Sequence, residues 1–541
     1  MNCNLFLVGI NTTFWIEVAK KLSQYEGINL NHATCYFKWY DEKKLRENEP
    51  LLKNINFINP IYLNNLNNLI DFVDYNDPST ILDNKILSEL KYIEDQFLII
   101  CDRLTFLPTS FRRRRRIYRN LLRYWLSFFN KNKIDCILFT WTPHVGWDLV
   151  LFGVAKYLGI KIVITGHTHI NDRIHFRENY WDIESMPENF LEELSTEEIK
   201  AKIDKALLEE AYEGCSLINF SRQINDLATG QKGLNVKKEV EFNDIHPVPV
   251  FARKKSVKKF IPLFMQKALR EFYENVYLKI KYAKKLIVGR AEHFLTFSAF
   301  GKVSPLIPFI GRFIHAKKMK ALLAYYNSLC EPMDYNKPFV YFSMHLQPER
   351  TSQPEGLIFE DQFLAIQMLH EALPEGWNLY IKENPRQFDI TNNRGIMAGI
   401  HYRDKKDYIE MKKLKKLKFM PMSEAVDKVR EYAICTASLI GSIGWESLLT
   451  NKCTIAFGSP WYSPCPSCFN ARTVEDCKKA IQEARTRSRE QNERDFYRFM
   501  VYIQDQLIIG NMDGPSIRFS KRSVEELSKN FCDGAVKKIL N

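Results

Sequence analysis

The sequence lacks a long apolar run. No segment of its 541 residues approaches the roughly 18 to 20 consecutive apolar residues that a membrane-spanning helix requires. The opening residues, MNCNLFLVGI, carry no basic leader, and their apolar run is too short for a signal peptide. We therefore expect a cytoplasmic protein whose first segment is a buried strand.

Cysteine patterns that would hold a metal ion or a disulfide framework are also missing. The 12 cysteines are scattered along the chain, which is typical of reduced thiols in a cytoplasm. Cys465 and Cys468 form a lone C-x-x-C motif, and His167 and His169 have no third ligand nearby. Because neither pair has further ligands at metal-binding spacing, we expect neither a metal nor a cofactor.

The composition is otherwise ordinary for a globular protein. Hydrophobic residues make up 45% and charged residues 26% of the chain, with 22 glycines and 22 prolines. These fractions exclude a disordered or fibrous protein. At about 150 residues per domain, the length allows several domains or two large ones.

Positive charge is in excess and is concentrated in two zones. Lys and Arg total 77 against 64 for Asp and Glu, which gives a formal net charge of +13. One zone is the arginine run 112–116 with Arg119 and Arg123, and the other spans 253–259 and 284–285. The second zone interleaves apolar residues at helical spacing, which fits either a helix lying on the anionic inner face of the inner membrane or a solvated helix face. No zinc-finger spacing or RNA-binding signature is present, so we expect no nucleic-acid partner.

Strand and helix patterns alternate in both halves of the chain. In the first half, strand-like runs at 4–9, 134–140 and 161–165 alternate with helical patterns at about 14–22 and 148–158. In the second half, strand-like runs lie at 339–345, 377–382, 418–420, 433–436 and 453–457. Strand–helix–strand units with short connections form parallel sheets. We therefore predict an α/β fold of two doubly wound Rossmann-like domains, residues 1–250 and 331–541, joined by a basic helical region at 251–330.

One strand-to-helix loop in the second half consists of small residues. Gly441 and Gly444 allow a close backbone approach, and the hydroxyls of Ser438 and Ser442 can donate to phosphate oxygens. Free N–H groups and the helix dipole at such a helix start favour an anion. Glu446 is then placed to accept from ribose hydroxyls. The alternative is a tight turn in which Ser442 is the N-cap and Glu446 is solvated.

Two further polar loops follow strands of the same half. After the first strand, Glu349 suits a base or nucleophile, and His345 or Arg350 suits an anionic donor. After the second, Lys382 supplies a point charge for a phosphate or a sugar carboxylate. Strand ends in such sheets border the ligand cleft. In the plainer alternative, these side chains only brace surface turns or are solvated.

Several segments resemble a known family. Residues 438–462 (SLIGSIGWESLLTNKCTIAFGSPWY), HLQPERTSQP from His345 and YIKENP from Tyr380 are similar to motifs of bacterial capsule polysaccharide synthesis proteins. That group includes the capsule Kdo transferases. Residues 134–177, with TWTPHVGWD from Thr140, are similar to the N-terminal pattern of the same group.

The resemblance implies a GT-B type glycosyltransferase with the donor in the C-terminal half and the acceptor in the N-terminal half. Such an enzyme moves a sugar from a nucleotide-activated donor, for example CMP-Kdo, to a capsule or other cell-surface polysaccharide or glycolipid. The implied catalytic residues are Glu349, His345 and Gln347. The implied donor-binding residues are Arg350, Lys382, Glu383, Ser438, Ser442, Gly444 and Glu446. The implied acceptor-binding residues are His144, Asp148 and Arg173.

The chain departs from the family pattern at two positions. Asn384 stands where the family has a histidine, and Arg350 or Thr351 stands where the Kdo transferases have an aspartate. These departures bear on the donor and on the stereochemical outcome. Two alternatives therefore stay beside the glycosyltransferase, namely a CDP-polyol phosphotransferase of the same fold and a non-catalytic polysaccharide assembly protein.

Overall fold

The computed structural model describes residues 2–35, 42–60, 73–101, 110–214, 306–388, 402–512 and 520–541. Within these ranges the chain forms two Rossmann-like domains, each built on its own β-sheet. The predicted fold class is therefore confirmed. The basic zone at 253–259 and 284–285, and most of the predicted connecting region, lie outside the described residues.

The first domain contains a seven-stranded sheet. Its strands, in spatial order, are β3 (Asn56–Ile58), β2 (Ile28–Cys35), β1 (Cys3–Ile10), β4 (Cys136–Phe139), β5 (Lys161–His167), β6 (Arg173–Arg177) and β13 (Ile508–Ile509). The first five run parallel, whereas β6 is antiparallel to β5 and β13 is antiparallel to β6. The predicted strands of the first half correspond to β1, β4 and β5.

Helices cover both faces of this sheet because β1 is apolar on both faces. Phe6 and Val8 pack with α5 (Phe111–Lys131) and α6 (Trp147–Tyr157). Leu5 and Leu7 pack on the opposite face with α1 (Thr13–Leu22) and α15 (Val524–Leu540). Successive side chains alternate across a strand, and a strand covered on both faces reads as a continuous apolar run. The other helices of the first half are α2 (Glu42–Asn48), α3 (Asn84–Glu89), α4 (Lys91–Ile100) and α7 (Thr196–Ala201), with 3₁₀ turns at Pro50–Leu52 and Pro78–Thr80.

The second domain contains a six-stranded, fully parallel sheet. Its strands, in spatial order, are β12 (Cys468–Asn470), β11 (Thr454–Ala456), β10 (Cys435–Ser438), β7 (Phe339–Ser343), β8 (Asn378–Lys382) and β9 (Leu417–Phe419). The sequence patterns predict all of them except β12. Its helices are α8 (Leu306–Leu329), α9 (Gln362–Ala372), α10 (Lys405–Met411), α11 (Val426–Tyr432), α12 (Ser442–Leu449), α13 (Val474–Thr486) and α14 (Arg489–Gln504), with 3₁₀ turns at Leu357–Glu360 and Pro385–Phe388.

The chain returns to the first sheet near its C-terminal end. β13 pairs with β6, and α15 packs against α1, where the ring centroids of Trp15 and Phe531 lie 5.1 Å apart. The range predicted as the C-terminal domain, 331–541, therefore contributes its last elements to the other sheet. Among the helices of the described ranges, none combines the length and the apolar character needed to cross a membrane.

Candidate functional site

The two polar loops after β7 and β10 meet at one point of the second sheet. The strand order reverses between these neighbouring strands, and ligands bind outside the carboxyl ends of strands at such a switch point. His345 follows β7, and Ser438 ends β10. A Cβ atom placed on Gly441 would lie 3.1 Å from Nε2 of His345. We refer to the loop 344–356 and the turn 439–442 together as the candidate site.

The start of α12 borders the candidate site without a side-chain cap. Its N-cap is Gly441, no side chain caps the helix, and no acidic residue lies in the first turn. The alternative in which Ser442 is the N-cap is wrong, because Ser442 is already the first helical residue. The positive end of the helix dipole is therefore not neutralised by a local carboxylate, and it favours an anion.

Tyr462 fixes the backbone of this turn. Its hydroxyl donates to the carbonyl oxygen of Gly441 at 2.6 Å, and the N–H of Gly441 donates to Oγ of Ser438 at 3.1 Å. A Cβ atom on Gly444 would overlap the Tyr462 hydroxyl. The missing side chain of Gly444 therefore makes room for the Tyr462 ring next to the helix backbone. The sequence predicts instead that a phosphate occupies this space.

His345 is oriented by two side chains of its own loop. Its Nδ1 lies 3.2 Å from Oγ1 of Thr351, and the Thr351 hydroxyl donates to Glu349 in a short hydrogen bond. Because a hydroxyl has one proton, Thr351 then accepts from the Nδ1–H of His345. Nε2 is left as the acceptor nitrogen of a neutral ring, on the side of the ring that faces Gly441.

Burial keeps the His345 ring neutral. The residue is 7% exposed, and burial lowers its pKa to about 4 although the charges of Glu349 and Glu355 oppose this shift. An anion placed next to Nε2 favours the imidazolium form. The ring can therefore take up a proton when an anion binds and donate a hydrogen bond to that anion.

Gln347 braces the loop that carries His345. Its backbone N–H donates to the side chain of Gln387 at 2.8 Å, and its side-chain oxygen accepts from Gln362 at 2.9 Å. The same Gln362 side chain accepts from the backbone N–H of His345 at 2.7 Å. These bonds fix the loop from its buried side. Gln347 itself is 4% exposed, so its side chain is part of this support.

Two charged residues at the end of β8, Lys382 and Glu383, lie inside the second domain, although the resemblance implies that they bind the donor. Nζ of Lys382 donates to the backbone carbonyl of Glu424 at 2.9 Å. The carboxylate of Glu383 pairs with Nε of Arg403 at 2.8 Å and accepts from Tyr408 at the same distance. Because both side chains are buried with protein partners, they stabilise neighbouring loops in this structure.

Glu446 also differs from expectation. Its side chain is fully buried, and Nη1 of Arg430 donates to it at 2.8 Å. The sequence predicts this carboxylate either at a ribose or in solvent. Its position in the middle of α12 instead directs it toward α11, so the ion pair ties the two helices together.

A carboxylate that the sequence analysis did not single out connects the two domains. Glu355 accepts from Oγ1 of Thr142 and from Nη2 of Arg177, each at 2.5 Å. It is 2% exposed, so water hardly screens the contact. The signal in the sequence is indirect, because Glu355 ends the loop that begins with His345, and the other two residues lie in the first-half segment that carries the family resemblance.

Arg350 and two histidines lie at the same domain contact. Nη1 of Arg350 is 3.7 Å from Glu355. His167, at the end of β5, has an exposed side chain, yet crowding by the surrounding protein and the positive charge of Arg350 lower its pKa to about 4. His169 accepts from Nε1 of Trp461 at 3.1 Å. Basic side chains of both domains therefore border the candidate site.

The residues assigned to the acceptor are engaged within the first half of the chain. Asp148 is 2% exposed and accepts from three backbone N–H groups at the start of α6, at 2.7 to 3.0 Å. Nδ1 of His144 lies 2.7 Å from the carbonyl oxygen of Thr142. Arg173 pairs with Glu210 at 2.6 Å. Asp148 therefore supports the local backbone, and Arg173 ties β6 to the segment that carries Glu210.

A cavity of about 560 Å³ lies between the domains and shares the Gln347 loop with the candidate site. Ile99 and Arg114 line it from the first domain, and Gln353 and Glu360 are among the lining residues of the second. Gln353 is 1% exposed, and neither polar atom of its side-chain amide has a hydrogen-bond partner. Burial raises the pKa of Glu360 to about 7. The cavity therefore offers polar groups that no protein atom satisfies.

In the described ranges, no three or more His, Cys, Asp or Glu side chains are grouped so that they could hold a metal ion. Cys465 and Cys468 are buried free thiols, and burial raises the pKa of both.

Comparisons with known proteins give matches among solved structures. No family model matches the chain, and no curated protein matches it. The chain is similar to a beta Kdo 2,7 transferase of Thermosulfurimonas dismutans at 11% identity, over 43% of this chain and 67% of that chain, with a TM-score of 0.22. It is similar to the UDP-GlcNAc 2-epimerase of Methanocaldococcus jannaschii at 12% identity, over 93% and 100% of the two chains, with a TM-score of 0.21. At these values the similarity concerns the fold alone.

Proposed function

We propose that this protein is a GT-B type glycosyltransferase that moves a sugar from a nucleotide-activated donor to a cell-surface polysaccharide or glycolipid. One observation carries the proposal: the uncapped start of α12 meets Nε2 of His345 at the switch point of the second sheet. In a nucleotide-sugar, the bond that breaks joins the sugar to a phosphate. Helix N-termini and cationic side chains stabilise the negative charge that develops on such a leaving group.

The donor phosphate would be held by backbone N–H groups of the first turn of α12 and by a protonated His345. Because burial keeps this histidine neutral, phosphate binding is coupled to the uptake of a proton. Negative charge on the phosphate increases as the bond to the sugar breaks. Both contacts then strengthen, and this difference between ground state and transition state lowers the barrier.

Glu349 has two separable roles in this proposal. Through Thr351 it stabilises the protonated form of His345. As a partly exposed carboxylate of the candidate site, it is also the candidate base for the acceptor hydroxyl. Thr351→Val removes the first role, whereas Glu349→Gln removes both. We therefore expect both variants to weaken nucleotide binding and only Glu349→Gln to lower kcat strongly; equal kcat values would leave Glu349 as a positioning residue.

The acceptor would approach from the first domain. The loop that begins with His345 reaches that domain through Glu355, which bonds Thr142 and Arg177. The resemblance of 134–177 and 438–462 to capsule synthesis proteins supports a capsule-like acceptor and a donor of the CMP-Kdo type. A peripheral position on the inner face of the inner membrane, where such acceptors lie, belongs to the same proposal.

Isothermal titration calorimetry with CMP, CDP and UDP tests the donor site. We expect at least one nucleotide to bind the wild type with a heat that depends on the ionisation enthalpy of the buffer, because a proton is taken up. His345→Gln should lose this dependence and bind about 10- to 150-fold more weakly, since a charge-assisted hydrogen bond contributes about 1.5–3 kcal/mol. His370→Gln, near the C-terminal end of α9, is the matched control and should bind like the wild type.

The outcomes separate the proposal from its alternatives. Binding of none of the three nucleotides, or equal binding by wild type and His345→Gln, contradicts the donor site. Binding of CDP followed by transfer of a polyol phosphate would assign the phosphotransferase. Nucleotide binding without turnover on any acceptor would assign the assembly protein.

A further inference from the structure

Five arginines line a groove on the exposed side of α5. The groove has a volume of about 470 Å³ and is lined by the arginines and by Tyr75, Phe111 and Asn120. The arginines are Arg112, Arg115, Arg116, Arg119 and Arg123. Three- and four-residue spacings repeat along this set, which places the side chains on one face of a helix. Their charges therefore form a row about 16 Å long, at 1.5 Å of rise per residue.

Most of this charge has no acidic partner among the described residues. Arg115 pairs with Glu94 at 2.7 Å, but Arg112, Arg116 and Arg119 form no ion pair with any residue in the described ranges. Nε of Arg119 is buried and has no hydrogen-bond partner. Like charges held in a row repel one another at low ionic strength. A ligand with a matching row of negative charges would relieve this repulsion.

The groove has aromatic walls. Tyr75 is 51% exposed and Phe111 is 61% exposed, and the guanidinium carbon of Arg123 lies 5.6 Å from the Tyr75 ring centroid. Exposed rings beside cationic groups offer flat apolar surface next to charge. Pyranose rings present both an apolar C–H face and, in uronic acids, a carboxylate. A concave groove also fits a single chain better than the flat surface of a bilayer.

The first turn of α5 carries lining residues of both the groove and the cavity between the domains. Arg114, which lies between groove residues in the first turn of α5, lines that cavity and donates to the backbone carbonyl of Leu98 at 2.8 Å. The cavity in turn shares Gln347 with the candidate site. A chain lying along the arginines would therefore extend toward the place where its end could react.

From this arrangement, we propose that the arginine groove of α5 binds a linear acidic glycan, with one carboxylate or phosphate per repeating unit, as the acceptor chain of the proposed transferase. The inference rests on the proposed function, since it names the chemistry of the acceptor. This proposal excludes binding of an anionic bilayer through the same groove.

Binding of defined oligosaccharides to the full-length chain tests the groove. The probes are octagalacturonate, with a carboxylate on each sugar, and uncharged maltooctaose, followed by microscale thermophoresis at 50 and 200 mM salt. We expect octagalacturonate to bind, more weakly at the higher salt because counterions screen the contacts, and maltooctaose not to bind. Phosphatidylglycerol–phosphatidylcholine vesicles in a flotation assay form the membrane arm.

A triple variant, Arg112→Gln, Arg116→Gln and Arg119→Gln, should bind octagalacturonate about tenfold more weakly or worse. The matched control removes the same charge from the exposed face of α13, by Lys478→Gln, Lys479→Gln and Arg485→Gln, and should bind like the wild type. Circular dichroism melts confirm that both variants fold. An equal loss of octagalacturonate affinity in the two triple variants overturns the proposal. So does vesicle binding that requires the arginines when octagalacturonate does not bind.

Nucleotide titrations with the same variants separate this inference from the function on which it rests. The triple arginine variant should bind CMP, CDP or UDP as the wild type does, because none of its changes lies at the candidate site. Octagalacturonate binding without any nucleotide binding would contradict the transferase and leave a glycan-binding groove. Nucleotide binding without octagalacturonate binding would contradict the groove alone.

Discussion

Replacing Glu446 with leucine removes the negative half of a buried ion pair and leaves the Arg430 side chain, 9% exposed, without its partner inside the protein. Breaking a buried pair in this way costs about 3–5 kcal/mol. Asp427, which is well exposed, still pairs with Arg430 at 2.9 Å. We therefore expect a loss of about 3 kcal/mol, a large part of a total unfolding free energy of about 5–15 kcal/mol.

A double variant isolates the ion pair. Arg430→Met with Glu446→Leu removes both charges and keeps apolar volume, and such replacements are often neutral or stabilising. We expect the double variant to recover most of the lost stability in urea titrations followed by tryptophan fluorescence. Glu371→Leu, an exposed carboxylate on α9, is the control and should change the unfolding free energy by no more than about 0.5 kcal/mol.

Nucleotide binding by the same variants shows whether Glu446 only stabilises the fold or also contacts the ligand. If Glu446 only ties α12 to α11, the double variant should bind nucleotide within about twofold of the wild type, a difference of about 0.4 kcal/mol. If Glu446 accepts from a ribose, restoring stability cannot restore affinity. A stable double variant that has lost nucleotide binding refutes the structural assignment and reinstates the donor role that the family resemblance implies.

Two further outcomes follow from the contacts of the candidate site. Burial lowers the pKa of His345 from 6.5 to about 4, so the unfolded state binds more protons between these values, and stability present above pH 6.5 is lost as pH falls toward 4. In urea titrations over this window, the wild type should lose about 3 kcal/mol more than His345→Gln, and parallel curves contradict the assignment. Glu355→Gln removes the charge opposite Arg177, so we expect a looser domain contact, seen as a larger radius of gyration in small-angle X-ray scattering; an unchanged radius shows that other contacts hold the domains.

The fold was predictable where strands are long enough to show a pattern. The run LFLV in β1 is buried on both faces, and such runs between helical segments specify a parallel sheet. β12 and β13 comprise three and two residues, which is too short for any periodicity. Their place in a sheet depends on neighbours that are distant in the chain.

The candidate site was predictable in position and less so in its contacts. Loops after parallel strands converge by topology, and His345 and Gly441 meet accordingly. The partners of the charged residues are set by tertiary packing instead. Lys382 bonds a residue 42 positions away, and Glu355 bonds Arg177 across 178 positions. A single sequence contains no signal for such pairs. It therefore does not distinguish a charged residue that pairs with another buried residue from one that contacts a ligand.

One loop joins the proposed anion site to the contact between the domains. His345 stands at its start and Glu355 near its end, and the negative charge of Glu355 favours the protonated form of His345. Arg177 holds that same carboxylate at the domain contact. Because coupling between two sites is reciprocal, a domain contact that holds the Glu355 carboxylate near His345 also favours a bound phosphate that protonates this histidine. Donor binding and domain contact should therefore strengthen each other, which would restrict assembly of the complete site to the donor-bound state.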